Sequence, residues 1–356
     1  MMQVLKKKLR HHSLTGRIVD KVMLKSFKNV TRNKGAAGID KVSIGMYEAN
    51  LTENLDSLMR ELKTDTYQPK PLRRKLIPKG DGKFRPLGIP SVKDRVAHEV
   101  IRSIIQPIFE KQFHQSSHGF RPGRSCITAI NELLEYHKQG YNVVVDADIK
   151  GFFDTIPHKL VMAMVAREIS DGKTLSTIRK FLQAGVMEDG KFIHTTKGTP
   201  QGGVISPLLA NIVLNHLDWT LDESEYKFVR YADDFVVLTR SSEEAEKALA
   251  TVKKCIEEDL GLELSPEKTG ITNFEKGFEF LGFFISSRTI RMRPTGKISA
   301  PTNSWLVCTA PVMARLVAAA NIEPASAPRI TRSTGDSLSL LRPVSIIALA
   351  TSTGFT

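Results

Sequence analysis

Cysteine is scarce in this chain: Cys126, Cys255 and Cys308 are the only three in 356 residues, odd in number and far apart. That spacing argues against a disulfide framework and against the paired ligands of a zinc module, and it points to a reducing, intracellular setting. Long apolar runs are missing as well. The nearest approach, residues 305–320, is short and carries Arg315, whereas a membrane span needs roughly 20 apolar residues. The basic stretch at residues 1–10 is not followed by the apolar core of a secretion signal. No internal repeat recurs. Lysine is absent after Lys297, and residues 301–356 are rich in Ala, Ser, Thr, Pro and Arg without sustained periodicity, so poor order is expected there.

What remains is a chain of ordinary hydrophobic content with an uneven charge. Residues 1–125 hold 26 Lys and Arg against 11 Asp and Glu, while residues 126–356 hold 25 against 27. All of the positive excess therefore sits in the first third. A block of that kind suits a polyanion, because each cation that neutralises a phosphate releases counterions. A solvated basic face kept for solubility is the alternative.

Local patterns divide the chain further. Leu51, Leu55, Leu58, Met59 and Leu62 have helical spacing within a basic N-terminal extension, residues 1–70. Gly80-Asp81-Gly82 joins two short strand candidates into a basic hairpin over residues 75–90. Ser91 and Asp94 resemble a capping box for a helix that continues through Val92, Val96, Val100 and Ile104 until Pro107 disturbs it. Asn142 to Ile149 reads as a strand with Val143, Val145, Ala147 and Ile149 on one face and Asp146 and Asp148 on the other. Ser206 as N-cap and Pro207 at the first helical position mark another helix. A further helix is predicted around residues 243–258 and a strand pair near 278–285. The alternation is α+β, without the rhythm of a doubly wound parallel sheet.

Tyr231-Ala232-Asp233-Asp234 is the most informative stretch. Two adjacent carboxylates interrupt the apolar runs Phe228-Val229 and Phe235-Val236-Val237-Leu238, and a strand-turn-strand presents both at a tip. Their charge needs compensation. With only Arg230 nearby in sequence, a divalent cation is the economical candidate. An acidic strand end at Asp148, an acidic tip at Asp233 and Asp234, and a basic hairpin carrying Lys79 and Arg85 find one explanation in nucleotidyl transfer. Two Mg²⁺ ions held by carboxylates orient a 3′-hydroxyl against an α-phosphate, and cations steady the triphosphate.

The ordered motifs resemble those of reverse transcriptases: Asp148-Ile149-Lys150-Gly151-Phe152-Phe153, residues 200–207 (PQGGVISP), Tyr231-Ala232-Asp233-Asp234 and Leu281-Gly282-Phe283. Residues 35–40 (GAAGID), the run from Lys79 to Pro90, residues 118–125 (HGFRPGRS) and residues 208–212 (LLANI) narrow the resemblance to the group II intron-encoded reverse transcriptase/maturase family. It covers about residues 30–295. Each motif alone is weak, and their joint order is specific.

The resemblance implies right-hand polymerase fingers and palm over residues 71–295, with an antiparallel palm sheet packed on helices. It assigns both metals to Asp148 and Asp233, with Asp234 a weaker or indirect ligand. Lys79, Arg85, Ile149, Phe153, Gln201 and Gly202 fall to nucleotide binding, Phe153 as the aromatic gate that excludes a 2′-hydroxyl. Lys268 is implied to protonate pyrophosphate, and Leu281 and Gly282 to form the primer-gripping turn. Asp146 receives no metal role, and Phe152 is assigned to the core. RNA template, intron RNA, DNA primer or target DNA, and deoxynucleoside triphosphates are the implied partners, with splicing and retrohoming as the setting, a bacterial cytoplasmic ribonucleoprotein as the location and no membrane association.

Residues 296–356 depart from the family pattern, which continues into a helical thumb and a maturase region. A truncated or frame-shifted reading frame with weak, poorly processive synthesis is therefore expected. A non-catalytic RNA-binding remnant is the alternative, as is a reverse transcriptase of another bacterial element such as a retron, a diversity-generating element or a CRISPR-associated enzyme.

Overall fold

The computed structural model describes residues 10–80, 83–199 and 202–292. In chain order the elements are α1 (Asp20–Thr31), α2 (Ile44–Glu48), α3 (Leu51–Thr64), β1 (Leu72–Gly80), β2 (Lys83–Ile89), α4 (Val92–Phe109), α5 (Cys126–Lys138) and β3 (Val143–Ala147). Then follow α6 (Phe152–Thr155), α7 (His158–Glu168), α8 (Gly172–Leu182), β4 (Val186–Glu188), β5 (Lys191–Ile193) and α9 (Ser206–Glu223). The hairpin β6 (Lys227–Tyr231) and β7 (Asp234–Thr239) leads to α10 (Ser242–Lys253), β8 (Gly270–Asn273), β9 (Phe278–Phe280), β10 (Phe283–Ile285) and β11 (Ile290–Met292). The mixed helices and sheets are the α+β class expected.

Two sheets frame the site. The central one is fully antiparallel in the order β6-β7-β3-β8, and the basic hairpin β1-β2 extends a second sheet in the order β2-β1-β4-β5, where β1 and β4 run parallel. A three-stranded meander, β11-β10-β9, stands beside them.

Alternation along β3 decides which side chains meet which layer. Val145, Ala147 and Ile149 belong to the main core with Phe235 and Val237 of β7 and the helices α4 and α9. Val144 points the other way and shares a second core with Val236, Leu238, α5 and the β9–β11 meander. Asp146 and Asp148 follow Val144 by the period of two. Each fully buried Val or Leu in these layers contributes about 1.5–3 kcal/mol relative to exposure.

Helix α4 runs through the middle of the main core, with Val96, Ala97, Val100 and Ile105 at 0% exposure. Ser91 Oγ accepts a hydrogen bond from the Asp94 amide at 3.1 Å, which satisfies one of the unpaired N–H groups at the helix start. The Asp94 carboxylate binds the Ser91 hydroxyl, the Tyr67 hydroxyl and the Lys70 amide. The helix continues to Phe109 beyond Pro107, whose missing N–H removes a hydrogen bond only in the last turns. Leu14, Ile18, Met23, Phe27, Leu58 and Tyr67, all from the N-terminal 70 residues, are buried in this same core.

Local boundaries differ from the sequence pattern in two places. Helix α9 starts at Ser206 itself with Ile205 in the capping position, so Ser206 is not the N-cap. The segment predicted as one helix over 243–258 changes to a wide π-helical turn at Lys254–Asp259. Among the described residues no helix is long and apolar enough to cross a membrane, and Cys126 and Cys255 are free thiols. The tail expected to be poorly ordered, residues 296–356, lies outside the described residues.

Candidate active site

The register of two neighbouring strands builds the site. Val145 pairs with Val237, Asp146 with Val236 and Ala147 with Phe235, so the next step along each strand leads to Asp148 and to Asp234, the first residue of β7. Side chains directly opposite on one face of an antiparallel pair lie about 5 Å apart at Cβ, and diagonal ones about 7–8 Å. Asp146 is a diagonal neighbour of Asp234, and Asp148, one residue past the last β3–β7 pair, lies close enough for its field to act on Asp234. Tyr231 pairs with Asp234 across the hairpin, leaving Ala232 and Asp233 as its two-residue turn. The turn requires a left-handed residue, and Ala232 supplies it at φ 60°.

Like charges placed this closely raise one another's pKa. Burial, and then the fields of Asp233, Asp148 and Asp146, push the Asp234 carboxyl up to about 6, against a smaller lowering by Lys268. Asp146 is likewise pushed up to about 6 by burial and by Asp148. The sequence reading gave Asp146 no place here, yet it faces the same cluster and belongs to its electrostatics.

A loop closes over the end of β3. Ser265 donates its amide to the Asp148 carbonyl at 2.8 Å, and Ile149 forms a bridge with Leu264. This brings Lys268 Nζ to 2.9 Å from Asp148 Oδ2, an ion pair with 59% of the lysine side chain exposed. That hydrogen bond, outweighing partial burial, raises the Lys268 pKa, so the ammonium is retained at neutral pH. Arg230, the cation nearest in sequence, is turned away: it is fully buried and pairs with Asp218 at 2.5 Å. Its charge is therefore spent on Asp218, while Lys268 pairs with Asp148. The donor set of the acidic cluster is entirely hard oxygen, which fits Mg²⁺ or a similar divalent ion.

The remaining predicted site residues occupy several places. Ile149 is buried in the main core, directly after Asp148. Phe152 is a core side chain at 2% exposure, whereas Phe153 is only partly buried, 5.5 Å from it between ring centroids. Gly202 has φ 111°, and a Cβ there would stand 2.4 Å from the Gly88 carbonyl, so only glycine lets the loop lie against β2. Leu281 and Gly282 form the two-residue turn between β9 and β10, both in the left-handed region at φ 52° and 80°. Lys79 and Arg85 lie in β1 and β2, but their side chains and the whole of Gln201 fall outside the described residues. His118 and Arg121 hold their loop in place: His118 binds Thr128 and Glu132, and Arg121 binds Glu110 and the carbonyls of His114 and Ser117.

Sequence reasoning missed the group behind the hairpin, namely Ser117, Asn211 and Asp218. A signal was present. Asp218 sits among Leu214, Leu217 and Leu221 on a buried helix, and a carboxylate there needs a partner.

The family model described as reverse transcriptase (RNA-dependent DNA polymerase) matches residues 77–285, more than half of the chain. The protein YkfC of Escherichia coli is 36% identical, over 73% of this chain and 78% of its own length. The group II intron-encoded protein LtrA of Lactococcus lactis is 33% identical, over 78% of this chain but only 57% of its own length. A solved Candida tropicalis telomerase in complex with a fragment of telomeric RNA shares the fold at a TM-score of 0.50 and 15% identity, over 74% of this chain and 50% of that one. The acidic cluster lies inside the matched segment, and the chain belongs to the reverse transcriptase family, of the group II intron-encoded type.

Proposed function

We propose that this chain is an RNA-directed DNA polymerase that joins deoxynucleotides by two-metal nucleotidyl transfer. The observation that carries this reading is the β3–β7 register, which gathers Asp148, Asp233 and Asp234 at one end of a rigid sheet while the buried arginine beside them is committed elsewhere. Asp148 and Asp233 hold the cations, and Asp234 completes the cluster. When bound there, a pair of Mg²⁺ ions supplies a primer 3′-hydroxyl of lowered pKa and charge neutralisation for pyrophosphate.

The chain's own residues do the rest. Lys268 keeps its proton and pairs with Asp148 Oδ2; were a cation to bind that carboxylate, the ammonium would be free to donate its proton to the leaving pyrophosphate. The partly buried ring of Phe153 stands five residues after Asp148, as a wall against a 2′-hydroxyl. Gly202, pressed on Gly88, brings backbone rather than side chain to the nucleotide and template. Its substrates are deoxynucleoside triphosphates and a DNA primer or target on an RNA template, and its RNA partner is a group II intron, in a bacterial cytoplasmic ribonucleoprotein that supports splicing and retrohoming. The basic first third contributes phosphate contacts.

Primer extension on an RNA template tests the reading. Mg²⁺-dependent incorporation, abolished in Asp233→Asn with RNA binding retained, is the expected result. RNA binding by the unaltered chain without any incorporation would instead establish a non-catalytic remnant.

A further inference from the structure

Arg230 precedes the acidic turn by two residues, and its side chain is wholly enclosed. A guanidinium has five N–H donors, and here every one is used. Nε and Nη2 bind the two oxygens of Asp218 at 2.6 and 2.5 Å, in the paired geometry that makes Arg–carboxylate contacts directional. Nη2 also donates to Ser117 Oγ at 2.7 Å, and Nη1 donates to Asn211 Oδ1 at 2.9 Å. The fifth bond runs from Nη1 to the carbonyl of Ala232 at 2.8 Å, the peptide that leads directly into Asp233.

The preceding peptide, Tyr231–Ala232, is crowded as well. Asn211 Nδ2 donates to the Gly119 carbonyl at 2.8 Å, and a Cβ on Gly119 would come within 2.3 Å of the Ala232 amide nitrogen. The backbone of β6 is tied to the same loop through His118 N to Arg230 O and Arg230 N to Ser116 O, both 2.8 Å. Ala232 thus sits at 1% exposure, in a left-handed conformation that a non-glycine residue adopts only when its neighbours enforce it. Three separated segments, the loop at 116–121, helix α9 and the hairpin, meet on one guanidinium.

We infer that Arg230, locked by Asp218, Asn211 and Ser117, is a positioning residue that sets the orientation of the Ala232–Asp233 peptide and so aims the Asp233 carboxylate at its divalent cation. The role deepens the nucleotidyl-transfer reading and rests on it. Because Asp218 neutralises the guanidinium, the anchor brings hydrogen bonds to the turn without offering its charge to Asp233 in competition with the cation. Purely structural replacement should then preserve the fold and still misplace the ligand, since buried ion pairs can be exchanged for apolar side chains of similar volume.

The test compares the unaltered full chain with Asn211→Ala, with Arg230→Lys, and with the double variant Arg230→Met/Asp218→Leu. Binding of Mn²⁺ alone is measured by titration calorimetry and by the spin resonance of free Mn²⁺, alongside melting curves and RNA affinity. Primer extension is followed as a function of Mg²⁺ concentration. The expected result is a weakening of Mn²⁺ binding by about tenfold or more in Arg230→Lys and in the double variant, and by about threefold in Asn211→Ala, with RNA affinity unchanged. Half-saturating Mg²⁺ for extension rises in parallel and high Mg²⁺ partly restores the rate. Native Mn²⁺ affinity in any folded Arg230 variant overturns the inference. So does an Asn211→Ala chain that melts early but binds Mn²⁺ normally, which would make the network structural only. A chain that binds Mn²⁺ through this network yet never extends a primer refutes the polymerase reading and leaves the positioning role standing.

Discussion

Replacing Asp234 by asparagine should make the metal-free protein more stable while it abolishes or cripples catalysis. The carboxyl is held near 6 in the folded chain against 3.8 in the unfolded one, by burial and by Asp233, Asp148 and Asp146. The folded state therefore binds more protons than the unfolded state between about pH 4 and 6, and stability falls as pH rises through that window. Above it the full penalty applies, about 2–3 kcal/mol at 1.36 kcal/mol per pKa unit. Asparagine has the same shape and no charge, so it removes the penalty. Melting curves in EDTA at pH 8 should place Asp234→Asn about 4 °C above the unaltered chain for a body of this size. At pH 4 the difference should vanish, and a weaker slope should remain from Asp146, itself raised to about 6. Added Mg²⁺ should narrow or reverse the difference, because it binds more tightly to the chain that keeps all three carboxylates. An Asp234→Asn protein that melts lower than the unaltered chain in EDTA at pH 8 would refute the reasoning, since it would mean that Asp234 is already paired to its advantage.

Three further outcomes follow from the same geometry. Gly119→Ala places a Cβ against the Ala232 backbone, so nucleotide incorporation should fall about 100-fold while circular dichroism stays native; normal incorporation would show that the hairpin can yield. Gly202→Ala combines a strained φ of 111° with a clash on the Gly88 carbonyl, and should raise the nucleotide KM with little loss of helix or sheet signal. Lys268→Met removes an exposed partner of Asp148, so melting should change little, half-saturating Mg²⁺ should fall by about threefold and kcat should fall as well. A kcat that is unchanged in Lys268→Met would exclude the lysine as proton donor.

Much of this protein was legible locally because period and turn chemistry are short-range properties. The alternation from Val143 to Ile149 separates Asp146 and Asp148 from the apolar face, as the two cores bear out. The spacing of Val92, Val96 and Val100 marks the central helix, and the two carboxylates between apolar runs mark the hairpin tip. Errors arose where two signals compete within a turn or so: Ser206 is a good cap by type, yet the helix already includes it, and Pro107 weakens a helix that packing carries onward.

The sequence by itself determined which residues face which side of each strand and helix, and the order of motifs that assigns the family. Only tertiary structure decided who faces whom. Strand period says nothing about the neighbouring strand's register, so the approach of Asp148 and Asp146 to Asp234 appears only once β3 lies beside β7. The destination of Arg230 is equally non-local: its acceptors come from residues 117, 211, 218 and 232, brought together by burial of the sheet against α9, and its place in the chain beside Asp233 and Asp234 gives no sign of them.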